Sequence, residues 1–311
     1  MKLIRWALFF AVLALAPAAQ AGRDFAAEAR ELQRTEFESG GLKREVWLGL
    51  PQGKGPWPLV MALHGGGGTA LGMAHLTGFD ALGASQGFLV AYPDSGVKQW
   101  NDGRTDFQDA ASGHDDSAWL AALAQDLVAR GLADPRRLYV CGMSNGGFMT
   151  ARLACDHPDL FAAAGMVAAT KVATYAYPKG VPIPVCYVMG TQDPLVPFKG
   201  GDIRLVKFGR SRGRVDSLEA TLAFWHQRNQ AQETAQTEAL PVLDPSDPCS
   251  VSRRLYEAGP QGAPVLAYIV AGGGHAWPGG WAYLGSWLVG TTTKNLKASQ
   301  ALWDFFKDKR R

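Results

Sequence analysis

The amino-acid sequence predicts an α/β fold: a mostly parallel central sheet covered by helices on both faces. Short apolar runs alternate with stretches of helical spacing along the chain. Runs such as Leu59 to Leu63, Leu138 to Cys141 and Val185 to Met189 are apolar at consecutive positions, the pattern of parallel strands buried on both faces. The 311 residues are 47% hydrophobic and 19% charged, with 37 Gly and 18 Pro, which excludes disordered, collagen-like and coiled-coil chains. No internal repeat or low-complexity linker divides the chain, so a single domain is expected.

The first residues stand apart from the fold. Lys2 and Arg5 precede an apolar run from Trp6 to Ala16, and Ala19-Gln20-Ala21 has the small-x-small pattern that signal peptidase cuts. Residues 1–21 therefore read as a cleaved signal peptide, and 22–311 as one mature domain secreted to the periplasm or the extracellular space. The apolar run is too short to be preferred as a membrane anchor. No membrane partner is expected after cleavage; the alternative is an uncleaved amphipathic helix. Loss of Lys2 and Arg5 reduces 31 Lys+Arg to 29 against 28 Asp+Glu, a net charge of +1. Arg204 to Arg214 is only a loose basic stretch, so nucleic acid is not an expected partner. Nothing in the sequence names a protein partner.

The elements follow in order. Arg44 to Leu50 reads as an early strand and Leu59 to Leu63 as a buried one, ending in His64 and four glycines. A helix is expected from about Ala74 to Gln86, then a strand from Phe88 to Tyr92 closed by Pro93. A loop rich in Gly, Asp and Trp runs from Asp94 to His114. Ser117 to Arg130 has helical spacing, with Trp119, Leu120, Leu123 and Leu127 on the apolar face and Gly131 beyond its end. Leu138 to Cys141 is a strand, Gly147 to Ala154 a helix, and Phe161 to Ala168 and Val185 to Met189 strands. A helix from about Val215 to Asn229, strands Arg253 to Tyr256 and Val265 to Val270, and a helix from about Lys294 to Lys307 complete the pattern.

Chemistry concentrates at four places. Gly142-Met143-Ser144-Asn145-Gly146 matches G-x-S-x-G and falls between an expected strand and an expected helix, where a sharp turn would expose Ser144 Oγ. The alternative is a glycine-rich turn with a capping serine. A serine needs a base, and among six His the best placed is His275, which follows a strand through Ala271 and three glycines. His75, His114, His157 and His226 fall in expected helices, a turn or the Gly/Asp loop. A carboxylate should orient the base, and Asp193 follows directly on the strand ending at Met189; its alternatives are Asp202, Asp216, Asp244 and Asp247. His64-Gly65-Gly66-Gly67-Gly68 would supply backbone donors to an oxyanion together with the Asn145 amide, with His64 itself structural.

Three further groups carry weaker signals. Trp277, Trp281, Tyr283 and Trp287 follow His275, and Trp100 lies in the Gly/Asp loop; Trp100, Trp277 and Trp281 are the candidates for stacking on a phenolic ring or sugar face, against the alternative of core packing. Asp115 and Asp116 precede a helix, where capping is a better reading than metal binding. No metal or cofactor is expected. Cys141, Cys155, Cys186 and Cys249 allow two disulfides or buried free thiols, and the sequence does not choose between them.

His64-Gly65-Gly66, Trp100-Asn101-Asp102-Gly103-Arg104, Asp115-Asp116, Cys141 to Gly147, Gly190-Thr191-Gln192-Asp193-Pro194, Gly272 to Gly280 and Trp303-Asp304-Phe305-Phe306 occur in this order. Together they resemble the polyhydroxybutyrate depolymerase and feruloyl esterase (LpqC-like) family of α/β hydrolases, from about Val46 to Phe306. The resemblance implies a serine esterase of the α/β-hydrolase fold. In it Ser144, Asp193 and His275 are nucleophile, acid and base, and the amides of Gly65, Gly66 and Asn145 form the oxyanion hole. The implied substrate is a 3-hydroxyalkanoate oligomer or a feruloyl or acetyl ester of plant polysaccharide. A peptidase using the same residues, or a polymer-binding protein without chemistry, are the rival readings.

Overall fold

The computed structural model describes residues 32–107, 111, 113–205 and 209–311. The signal-peptide expectation lies outside them. The strands are β1 (Gln33–Ser39), β2 (Leu42–Gly49), β3 (Trp57–Leu63), β4 (Leu89–Pro93), β5 (Ala133–Met143), β6 (Ala163–Val167) and β7 (Val185–Gly190), followed by β8 (Gly201–Asp202), β9 (Arg214–Val215), β10 (Gln236–Ala239), β11 (Ser250–Tyr256) and β12 (Val265–Ala271). The helices are α1 (Ala70–Thr77), α2 (Phe79–Gln86), α3 (Asp116–Ala129), α4 (Asn145–Asp156), α5 (Leu218–Arg228), α6 (Ser286–Val289) and α7 (Ala298–Phe306).

The main sheet has the order β1-β2-β4-β3-β5-β6-β7-β12-β11-β10. From β4 to β12 neighbouring strands are parallel, while both edges are antiparallel. Side chains alternate across the parallel strands. Leu59, Met61 and Leu63 of β3 pack into one core with Leu120, Leu123, Phe148, Leu222 and Trp225 of α3, α4 and α5. Val60 and Ala62 pack into the other with Met73, Phe79, Leu302 and Phe306 of α1, α2 and α7. Consecutive apolar residues were therefore the correct signal for strands covered on both faces.

Four differences from the sequence expectation have local causes. The single helix expected over 74–86 is two, because Gly78 takes φ 57° and ends α1 while opening α2. β1 is polar at most positions and only edge-paired to β2, so no apolar run announces it. β10 is exposed throughout and equally silent. β5 starts five residues early, through Asp134, Pro135 and Arg136, where one neighbour is β3 at Trp57.

All four cysteines are buried free thiols. Cys141 and Cys186 lie on either side of Gly165 in the register of β5, β6 and β7, and burial pushes both thiols well up. Burial likewise pushes Cys155 up to about 12 and, with help from Asp247, Cys249 up to about 11.

Candidate active site

Ser144 occupies the one residue between the end of β5 and the start of α4, with φ 56° and ψ −120°. A serine at positive φ is strained, and the surrounding hydrogen bonds hold it there. Its amide donates to Val167 O at 2.9 Å and its carbonyl accepts from Phe148 N at 2.9 Å. Gly142 and Gly146 make the turn possible by close approach: a Cβ on Gly146 would lie 2.3 Å from Leu63 O, and one on Gly142 2.4 Å from Gly146 O. The turn is thus seated against the end of β3.

β7 and β12 are parallel neighbours, so the loops leaving their C-terminal ends emerge side by side. Asp193, three residues beyond β7, accepts from the amides of Leu195 and Val196 through Oδ1, both at 2.8 Å. Its Oδ2 lies 2.7 Å from Nδ1 of His275. A carboxylate only accepts, so Nδ1 carries the proton and Nε2 is the acceptor of the imidazole. His275 is 4% exposed. Its amide donates to Val289 O at 2.6 Å, and Tyr283 OH donates to its carbonyl at 2.9 Å, so the His275 backbone is anchored from α6 and from the loop that precedes that helix.

The glycine loop leaves β3 and passes over the serine turn. A Cβ on Gly65 would lie 3.3 Å from Met143 O and 3.5 Å from Ser144 Cβ. His64 has both ring nitrogens engaged: Nδ1–H donates to Gly65 O at 2.8 Å and Nε2 accepts from Ser95 N at 3.2 Å. Burial pushes its pKa down, so the neutral ring persists as a brace. That agrees with reading His64 as a support of the loop.

Sequence reasoning missed the polar cluster behind this loop. The Asn145 side chain accepts from Trp100 N at 2.7 Å and donates to Trp100 O at 2.9 Å and to Asp102 Oδ2 at 2.7 Å. Asp102 in turn grips Arg104, which lies against Phe148 and Phe107. Asp116 forms a buried ion pair with Arg44 at 2.7 Å and accepts from Asn101 N at 2.6 Å. Asp115 caps α3 through Ala118 N, as its position before the helix suggested. The available signal was Trp100-Asn101-Asp102-Gly103-Arg104, recognised as a motif without a physical role.

The aromatic expectations need correction at two positions. Trp100 and Trp277 are each 1% exposed and offer no face to a ligand. Trp100 is consumed by the Asn145 cluster, and Trp277 packs edge-on against Phe79 and donates to Ser299 Oγ at 3.0 Å. Trp281 is 42% exposed with its ring beside His75, and Trp287 is 80% exposed.

A parallel sheet with a glycine-flanked serine at a strand-to-helix turn, and an Asp–His pair on loops of adjacent strands, is the architecture of the α/β hydrolases. Comparisons with known proteins narrow this class. The profile of the family described as "Esterase PHB depolymerase" matches residues 47–221. The Nocardia uniformis subsp. tsuyamanensis protein named "Putative esterase NocK" is 32% identical over 263 residues, 82% of this chain and 75% of its own. Poly(3-hydroxyalkanoate) depolymerase C of Paucimonas lemoignei is 34% identical over 36% of this chain and 27% of its own length, and feruloyl esterase B of Neurospora crassa is 31% identical over 38% and 41%. The solved acetyl xylan esterase from Aspergillus awamori shares the fold at 18% identity, with a TM-score of 0.55 over 79% of this chain and 94% of that one. The chain belongs to the Esterase PHB depolymerase family and, with it, to the carboxylic ester hydrolases.

Proposed function

We propose that residues 22–311 are a single catalytic domain, exported after removal of residues 1–21, that hydrolyses carboxylic esters with Ser144, His275 and Asp193. The observation that carries this reading is the buried 2.7 Å contact from His275 Nδ1 to Asp193 Oδ2, beside a sheet whose central strand β5 is followed directly by the strained Ser144. His275 Nε2 takes the Ser144 proton as Oγ attacks the ester carbonyl. The amides of Gly65, Gly66 and Asn145 receive the oxyanion, each such donor being worth about 10²–10³ in kcat. The intermediate collapses to an acyl-enzyme as His275 protonates the leaving alcohol. His275 then activates water to release the acid.

The relatives are named for polyester, feruloyl and acetylxylan esters, and this chain's substrate falls in that range: a 3-hydroxyalkanoate oligomer, or a feruloyl or acetyl ester of plant polysaccharide. Trp281, 42% exposed, offers aromatic surface for stacking on a phenol or sugar. The test is hydrolysis of methyl ferulate, a soluble 3-hydroxybutyrate oligomer and acetylated xylan by residues 22–311, each beside Ser144→Ala. A preference for one substrate that vanishes in the variant supports the reading. Rates equal to the variant's on all three sink it.

A further inference from the structure

We infer that Trp100 is a positioning residue that aims the oxyanion-hole amides, acting as one clamp with the side chain of Asn145. The inference rests on the proposed oxyanion hole and concerns how that hole is held in shape.

Two separate pieces of backbone must supply the donors: the start of α4, with the Asn145 amide, and the loop after β3, with those of Gly65 and Gly66. They are joined through Trp100. The Asn145 side chain holds the Trp100 backbone on both sides, accepting from its N–H at 2.7 Å and donating to its C=O at 2.9 Å. The Trp100 indole Nε1–H then donates to His64 O at 2.9 Å, and the indole lies beside the His64 ring at 4.9 Å between centroids.

The His64 carbonyl and the Gly65 amide belong to one planar trans peptide, in which C=O and N–H point in opposite directions. Fixing His64 O with the indole therefore fixes the direction of the Gly65 N–H. The next peptide is fixed in the same way. Gly65 O accepts from His64 Nδ1 at 2.8 Å and from Gly68 N at 3.0 Å, which sets the Gly66 N–H. Glycines carry no side chain to hold these peptides, so their orientation has to come from hydrogen bonds to their carbonyls. Asn145 thereby links its own amide to the opposite donors through a single buried residue, and Asp102 anchors the Asn145 amide group from behind at 2.7 Å.

The test is Trp100→Phe, which keeps an aromatic ring and deletes the Nε1 donor. Its control is Trp225→Phe, which deletes an equally buried indole bond, Trp225 Nε1 to Tyr187 OH at 2.6 Å, in α5. Both lose packing, and only the first loosens the clamp. The expected result for Trp100→Phe is a kcat about 10-fold or more below that of Trp225→Phe with KM unchanged, less than the loss of a whole donor. Affinity for an arylboronic acid, which mimics the tetrahedral intermediate, should fall by the same factor. Should Trp100→Phe not fold, a benzothienylalanine at position 100, which has the indole's shape without its N–H, gives the same readout. If Ser144→Ala retains turnover, the reading of the site fails. If Ser144→Ala is inactive while the Trp100 variants match Trp225→Phe in kcat and boronate affinity, the clamp alone is overturned.

Discussion

Replacing Gly146 with Ala tests the seating of the serine turn. The added Cβ would lie 2.3 Å from Leu63 O and 2.5 Å from His64 O, where ordinary contact begins at 3.4 Å. Both obstacles are backbone atoms of β3 and the loop after it, so no side-chain rotation relieves them; α4 and the Ser144 turn must move away by about 1 Å. Overpacking of this kind costs about 1–3 kcal/mol, and backbone obstacles place this case near the upper figure. At roughly 2–3 °C per kcal/mol for a chain of this size, Tm should fall by about 6–9 °C. The same movement separates Ser144 and the Asn145 amide from Gly65, and a misplacement of about 1 Å is worth about 10²-fold in rate. Thermal unfolding and p-nitrophenyl acetate hydrolysis read the two effects. A Gly146→Ala protein with wild-type Tm and kcat would refute the close seating of the turn on β3.

Other expectations follow from individual contacts. Asp193→Asn keeps an oxygen for the Leu195 and Val196 amides but turns an NH₂ toward His275 Nδ1, forcing the other tautomer; kcat should fall by about 10³-fold or more with little change in Tm. Arg44→Met leaves Asp116 buried without its counter-ion, their side chains being 3% and 0% exposed, and should cost about 3–5 kcal/mol in denaturant unfolding. Burial alone would raise the Asp247 carboxyl, but the Thr293 hydroxyl and the Cys249 and Lys294 amides together hold it down to about 2. Its folded pKa is below the ordinary 3.8, so its contribution is present above pH 4 and lost as pH falls toward 2; for a partly exposed carboxylate this is roughly 1 kcal/mol, absent in Asp247→Asn.

The parts of the molecule legible in its sequence were those where local pattern and physics coincide. Consecutive apolar residues in β3, β5 and β7 reported burial on both faces, and the glycines around Ser144 reported a turn that only close backbone contact explains. Asp193 and His275 could be paired from the sequence because each follows a strand end, and parallel neighbours deliver such loops to one place, where the two side chains lie 2.7 Å apart. The polar edge strands β1 and β10 were illegible because pairing with a neighbour, rather than hydrophobic pattern, makes them strands. Trp100 was misplaced for a similar reason. An aromatic residue in a polar loop reads as exposed, and only the three-dimensional partners Asn145 and His64 show that it is a buried brace.

The central claim is that Ser144 carries the acyl group. Mixing the protein with p-nitrophenyl acetate, quenching in acid during the first turnover and mapping the peptides by mass spectrometry tests it most directly. The account predicts acetylation at Ser144, absent in Ser144→Ala and formed far more slowly in Asp193→Asn. Turnover with the acetyl group on another residue, or continued turnover by Ser144→Ala, would contradict it.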